Sequence, residues 1–212
     1  PAAFAALCAE FGATGPAVRS LYDDVVRRYG EDGRFYHTLV HVADVLATLD
    51  RLTPDALPVQ ALPAIPLCLA AWLHDVVYDP RAADNEARSA AYAVEALGAL
   101  GAGAALTEEV ARLILCTQTH VAADAAAQLL LDADLAVLGG ETAVYDAYAR
   151  AIRREYAHVP DAAYRLGRAQ VLRRFLARPR IFQTDGMWRE RETAARANLA
   201  RELAALTPPA PA

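Results

Sequence analysis

Cysteine is scarce in this chain of 212 residues, with only three at positions 8, 68 and 116. They are far apart and odd in number, and no C-x-x-C pair occurs, so neither a disulfide framework nor a thiolate zinc site is implied. Reduced, buried thiols are the expectation. Excess positive charge is lacking too: 26 acidic residues outnumber 21 basic ones, and the net charge is −5. That balance excludes the basic footprint of a nucleic-acid-polymer binder. The start, PAAFAALCAEFG, lacks the basic opening and long apolar run of a secretion signal. The most apolar stretch, 61–73, is broken by Pro63 and Pro66 and is too short to span a bilayer. A soluble, cytoplasmic protein without membrane partners is the expectation.

What is present is helical periodicity. Hydrophobic residues make up 55% of the chain, much of it alanine, a helix former that adds little core volume. Apolar spacing predicts helices near 2–11, 16–30, 36–52, 64–78, 84–98, 107–120, 124–138, 142–157, 161–177 and 188–206. Breakers fall between them: Gly30 to Gly33, prolines 54, 58 and 63, Gly98 to Gly103, Gly139-Gly140 and Pro179. No repeat and no strong linker is visible. The reading is all-α: one helical domain over 1–206, its terminal helices packed around a central bundle, and a disordered tail, TPPAPA, at 207–212.

Five histidines occur, at 37, 41, 74, 120 and 158. His37 and His41 are four apart on one predicted helix, a spacing that projects both imidazoles from the same face. His74-Asp75 follows the apolar helix AIPLCLAAWL. Burying either group costs several kcal/mol unless it is paired or coordinated, and a divalent cation satisfies both. Asp132 and Asp134 sit inside LLLDADLAVLG; Asp132 reads as the cap of a helix starting there, with Asp134 in its first turn. Two imidazoles and two carboxylates without sulfur suit a partly hydrated octahedral ion: Mn²⁺, Fe²⁺, Co²⁺, Ni²⁺, Mg²⁺ or Zn²⁺. Glu86 could orient a water or merely stabilise a helix N-terminus. Arg34, Arg153 and Arg168 have guanidinium forks suited to phosphate, whereas Arg173, Arg174, Arg178 and Arg180 read as a solvated face. Tyr78 and Tyr156 read as core or rim residues that could also stack on a base or sugar.

The ordered array of His, His-Asp and a distant Asp resembles the HD superfamily of metal-dependent phosphohydrolases. The chain is more closely similar to a bacterial family of predicted HD phosphohydrolases of about this length. The resemblance is carried by FYHTLVHVADVL (35–46), AAWLHDVVYDPRAADNEARSA (70–90) and LLDADLAVLGG (130–140). YDAYARAIRREY (145–156), YRLGRAQVLRRFLARPRIF (164–182) and ETAARANLARE (192–202) extend it over nearly the whole chain. It implies an HD-type helical bundle with added N- and C-terminal helices, and one divalent metal ion held by His41, His74, Asp75 and Asp134. YHTLVHVADV also resembles a cyclic-nucleotide phosphodiesterase motif, which implies a general acid at His37 and a ligand at His41. The Ala-Asp-Leu run selects Asp134 over Asp132. The implied activity is hydrolysis of a small phosphorylated, nucleotide-like metabolite through a metal-activated water. Glu86 or Asp75 would orient that water, and Arg34, His120, Arg153 and Arg168 would bind substrate. One departure stands out: where two-metal relatives carry His-Glu, this chain has Asn85-Glu86. That favours a mononuclear site. An HD-type di-iron oxygenase and a non-catalytic nucleotide-binding module are the alternatives.

Overall fold

The computed structural model describes residues 1–56 and 64–206. The proline positions 58 and 63 and the expected tail at 207–212 lie outside the described residues. Among those described, ten α-helices and one 3₁₀ segment form an all-helical structure without strands. No described helix is long and apolar enough to cross a membrane.

The chain groups into two units, Pro1–Ala133 and Asp134–Ala212. Unit 1 holds α1 (Ala2–Ala9), α2 (Pro16–Tyr29), α3 (Leu39–Ala56), α4 (Ala64–Leu73), α5 (Asn85–Ala99), α6 (Ala104–Thr119) and nearly all of α7 (Ala125–Asp134). Its organiser is α4. Leu67, Leu69, Ala70, Ala71 and Leu73 are all buried, so the helix is apolar nearly all round and is packed by α1, α3, α5 and α6. Trp72 meets Phe4 edge to face at 5.3 Å and lies 6.1 Å from Tyr22, which fastens α1 and α2 to α4. Burying α4 in this way carries the His-Asp pair that follows it into the interior. Cys8 is buried and Cys68 and Cys116 are half-buried; all three thiols are unpaired.

Three expected helix boundaries shift. α3 begins at Leu39, because Thr38 caps it: its hydroxyl accepts from Val40 N–H at 3.3 Å and its carbonyl accepts from Val42 N–H at 3.2 Å. α4 stops at Leu73, five residues short of expectation, for tertiary reasons given below. α7 is capped by Asp124, whose carboxylate accepts from Ala127 N–H at 2.9 Å. Asp132 is therefore no cap; it is a fully buried residue near the far end of α7.

Unit 2 comprises the 3₁₀ segment Leu135–Gly139, α8 (Thr142–Glu155), α9 (Asp161–Leu176) and α10 (Asp185–Leu206). α10 packs on α9 and on the 3₁₀ segment. The Asn198 amide donates to the carbonyls of Leu138 and Gly140 at 3.0 and 2.9 Å, on either side of Gly139. A Cβ on Gly139 would stand 2.5 Å from Arg191 Cβ and 2.8 Å from the Arg191 carbonyl oxygen. Backbone cannot swing aside as a side-chain tip can. Gly139→Ala is therefore expected to cost about 1–3 kcal/mol, measured by urea unfolding. A variant as stable as the parent would show that this contact gives way.

Candidate metal centre

The centre is assembled in unit 1 from three short pieces of chain: the turn before α3, the start of α3 and the turn after α4. His41 lies in the first turn of α3, and His74 and Asp75 come directly after Leu73. His41 and His74 are 3% and 1% exposed. Their Nε2 atoms face each other at 3.2 Å, and Asp75 Oδ2 stands 3.0 Å from His74 Nε2 and 3.8 Å from His41 Nε2. All three donor atoms lie within 4.8 Å of one another, so His41, His74 and Asp75 form a buried group that could hold a metal ion.

Chemistry tests the fit. His74 Nδ1 lies 3.0 Å from the Ala71 carbonyl, which can only accept, so Nδ1 carries the hydrogen. A backbone carbonyl holding the outer nitrogen in this way is the usual support of a ligating imidazole. Nε2 then turns a lone pair toward Asp75 Oδ2, itself only an acceptor when ionised, unless a proton or a cation stands between them. Donors about 2.1 Å from a shared ion stand about 3.0 Å apart when cis in an octahedron and about 3.4 Å apart in a tetrahedron. Two of the three separations found here fall in that range without rearrangement.

The electrostatics make the same demand for positive charge. Burial alone would raise the Asp75 carboxyl. The neighbouring imidazoles of His74, His37 and His41 outweigh it and hold the carboxyl well below the usual carboxylate range.

His37 is not on α3, contrary to the shared helical face expected for His37 and His41. It is the middle residue of a three-residue turn closed by Thr38 N–H donating to the Tyr36 carbonyl at 2.8 Å. Its ring stacks on Tyr78 at 4.1 Å and 27°. The His37 and His41 ring centres are nonetheless 6.1 Å apart, so the turn brings the two imidazoles together where a helical repeat was expected to. Tyr36 fills the angle between them, 5.1 Å from the His37 ring and 4.7 Å from that of His41.

After Leu73 the backbone leaves the helix because side chains from elsewhere take the polar groups of Trp72 and of the loop through Asp79. The Tyr29 hydroxyl donates to the Trp72 carbonyl at 3.1 Å and accepts from Asp75 N–H at 3.3 Å. Ser89 Oγ accepts from Val77 N–H and donates to the Val77 carbonyl, at 3.1 and 3.2 Å. Asn85 treats Asp79 in the same two-way manner, both bonds at 2.9 Å. Asn85 and Ser89 are one turn apart on α5 and act as two clamps on the loop that carries Asp75. Glu86, half-buried in the first turn of α5, lies between them. No sequence motif marks Tyr29, and the stretch 70–90 that contains Ser89 gives it no role, since a hydroxyl's partner more than ten residues away leaves no local pattern.

The other predicted site residues are placed as follows. His120 is the C-cap of α6, in a left-handed conformation at φ 52°, the one described non-glycine residue with positive φ. Such a conformation is strained and is often found at functional sites. The end of α6 touches the loop before α5, with Gln118 Nε2 donating to the Ala83 carbonyl at 3.4 Å. Asp134 ends α7 and opens unit 2, half-buried. The three arginines expected at phosphate all have partners within the protein. Arg34 binds backbone carbonyls in unit 1. In unit 2, Arg153 donates to the carbonyls of Tyr156 and Val159 at 2.7 and 3.1 Å and lies over the Tyr164 ring. Arg168 forms a bidentate pair with Glu202 at 2.8 and 3.0 Å.

No protein-family model matches the chain, and no curated protein or solved structure does so either.

Proposed function

We propose that the protein is a metal-dependent phosphohydrolase acting on a small phosphorylated, nucleotide-like metabolite. The observation that supports this reading best is the convergence of His41 Nε2, His74 Nε2 and Asp75 Oδ2 at separations suited to one ion. Asp134 is the fourth ligand in this reading, on the strength of the sequence resemblance. A divalent cation held by these residues would supply Lewis acidity, acidifying water near neutral pH and polarising a phosphoryl oxygen. Glu86 or Asp75 orients the attacking water. His37, fixed by its turn and by Tyr78, protonates the leaving oxygen, and His120 contacts substrate.

One ion fits better than two. Both ends of the Asn85 amide are engaged by the Asp79 backbone, and the residue serves the loop. A di-iron oxygenase would need further ligands in that region; two irons per chain in protein purified without added metal would favour it. Tight nucleotide binding with no hydrolysis across a broad phosphoester panel would favour a binding module.

The division of labour is testable. His37→Ala is expected to keep Mn²⁺ affinity and lose about 10²–10⁴ in kcat, whereas Asp134→Ala is expected to lose both the metal and the activity. Steady-state kinetics with a Mn²⁺ titration reads both effects. Full activity in Asp134→Ala would reject that ligand, and an unchanged kcat in His37→Ala would reject the acid.

A further inference from the structure

We propose that Arg34 is the positioning residue that locks the His37 turn to the His74–Asp75 turn, and so sets the geometry of the candidate metal centre. The inference deepens the reading above and rests on it only for its metal-dependent arm.

Arg34 follows a tight turn in which Arg34 N–H donates to the Glu31 carbonyl at 3.3 Å and Gly33 takes φ +95°. Only glycine adopts that angle readily, so the turn aims the arginine inward. The side chain is 2% exposed. Its Nη1 donates to the His37 carbonyl at 3.2 Å and to the Asp75 carbonyl at 2.7 Å, and its Nη2 donates to the Val76 carbonyl at 3.0 Å. One planar group thus joins two segments about forty residues apart, one bearing the proposed acid and the other bearing two proposed ligands. The rings of Tyr29 and Tyr78 lie 5.1 and 5.5 Å from the guanidinium carbon. Tyr78 is the ring on which His37 stacks, and the Tyr29 hydroxyl holds Asp75 N–H, so both platforms reach the same two turns.

Stability alone does not account for this arginine. Its Nε is buried with no hydrogen-bond partner, and its nearest carboxylate, Glu31, is 3.6 Å away on an exposed side chain. A buried guanidinium with an unmet donor is a poor stabilising group, often matched or bettered by an apolar residue of similar size. What an apolar residue could not supply is a rigid fork bonded to three carbonyls.

Arg34→Ala and Arg34→Lys test the proposal; lysine keeps the charge but lacks the fork, and serves if the alanine variant does not fold. In metal-free protein the His37 ring protons should be shifted upfield by the Tyr78 ring, and NMR assigns them by their loss in His37→Gln. Both Arg34 variants are expected to move those signals toward the positions of an unstacked histidine and to weaken Mn²⁺ binding about 10- to 100-fold. Millimolar guanidinium is expected to restore the parent spectrum in Arg34→Ala. Unshifted His37 signals in a folded variant would overturn the proposal. If the parent protein binds no Mn²⁺, the metal reading fails, and the His37 signals still decide the role of Arg34.

Discussion

Replacing His74 with alanine is expected to abolish metal-dependent phosphoester hydrolysis, a loss of at least about 10³-fold. His74 is central to the cluster, with Nε2 3.2 Å from His41 and 3.0 Å from Asp75. No other donor in the group is near both partners at those distances. Losing the ligand removes the several kcal/mol of transition-state stabilisation that a bound cation supplies, and each 1.4 kcal/mol is about a factor of ten in rate. The fold should survive, because His74 follows α4 and the buried leucines of that helix are untouched. Turnover of nucleotides and generic phosphate esters with Mn²⁺, Co²⁺, Ni²⁺ and Mg²⁺, alongside circular dichroism, measures both. A folded variant that turns over at the parental rate would remove the metal centre from the mechanism.

The second large effect concerns stability in unit 2. Glu202 accepts from Arg168 through both carboxylate oxygens and also from the Tyr145 hydroxyl, and the Arg168 side chain is 9% exposed. The Arg168 guanidinium also donates to the Tyr148 hydroxyl at 3.3 Å. Glu202→Ala would leave a buried cation and a buried phenol without their acceptor, an expected loss of about 3–5 kcal/mol. Replacing both partners with Glu202→Leu and Arg168→Met should recover most of it, since the cost lies in the orphaned charge. Urea unfolding of the two single variants and the pair measures the coupling. A loss of under about 1 kcal/mol in Glu202→Ala would class the pair with exposed ion pairs.

The helices were legible because apolar spacing and breakers agree along the chain: all ten expected helices begin within three residues of the observed ones, and α7 differs mainly by ending in a 3₁₀ segment. The His-Asp pair was legible because an ionisable dipeptide at the end of an all-apolar helix asks for a partner. The end of α4 was not, since it is decided by Tyr29, Arg34, Asn85 and Ser89, none of which is near it in sequence. The place of His37 is not legible from its spacing, because a four-residue separation of imidazoles suits a helix equally well, and the start of α3 is set by the Thr38 cap. The arginines were the least legible. A guanidinium suits phosphate, carboxylate and carbonyl alike, and only the fold reveals that Arg168 meets Glu202, 34 residues on, or that Arg34 meets the backbone of 37, 75 and 76. The division at Ala133 coincides with the end of α7, where the chain passes into the 3₁₀ segment without a glycine or proline between them.

The metal centre is tested most directly by a crystal structure of the protein grown with Mn²⁺, with data collected at a wavelength where manganese scatters anomalously. One strong anomalous peak per chain is expected, within about 2.0–2.3 Å of His41 Nε2, His74 Nε2 and Asp75 Oδ2, with its loss in His74→Ala. A peak bound elsewhere, or none beside those three atoms at saturating Mn²⁺, would contradict this placement of the metal.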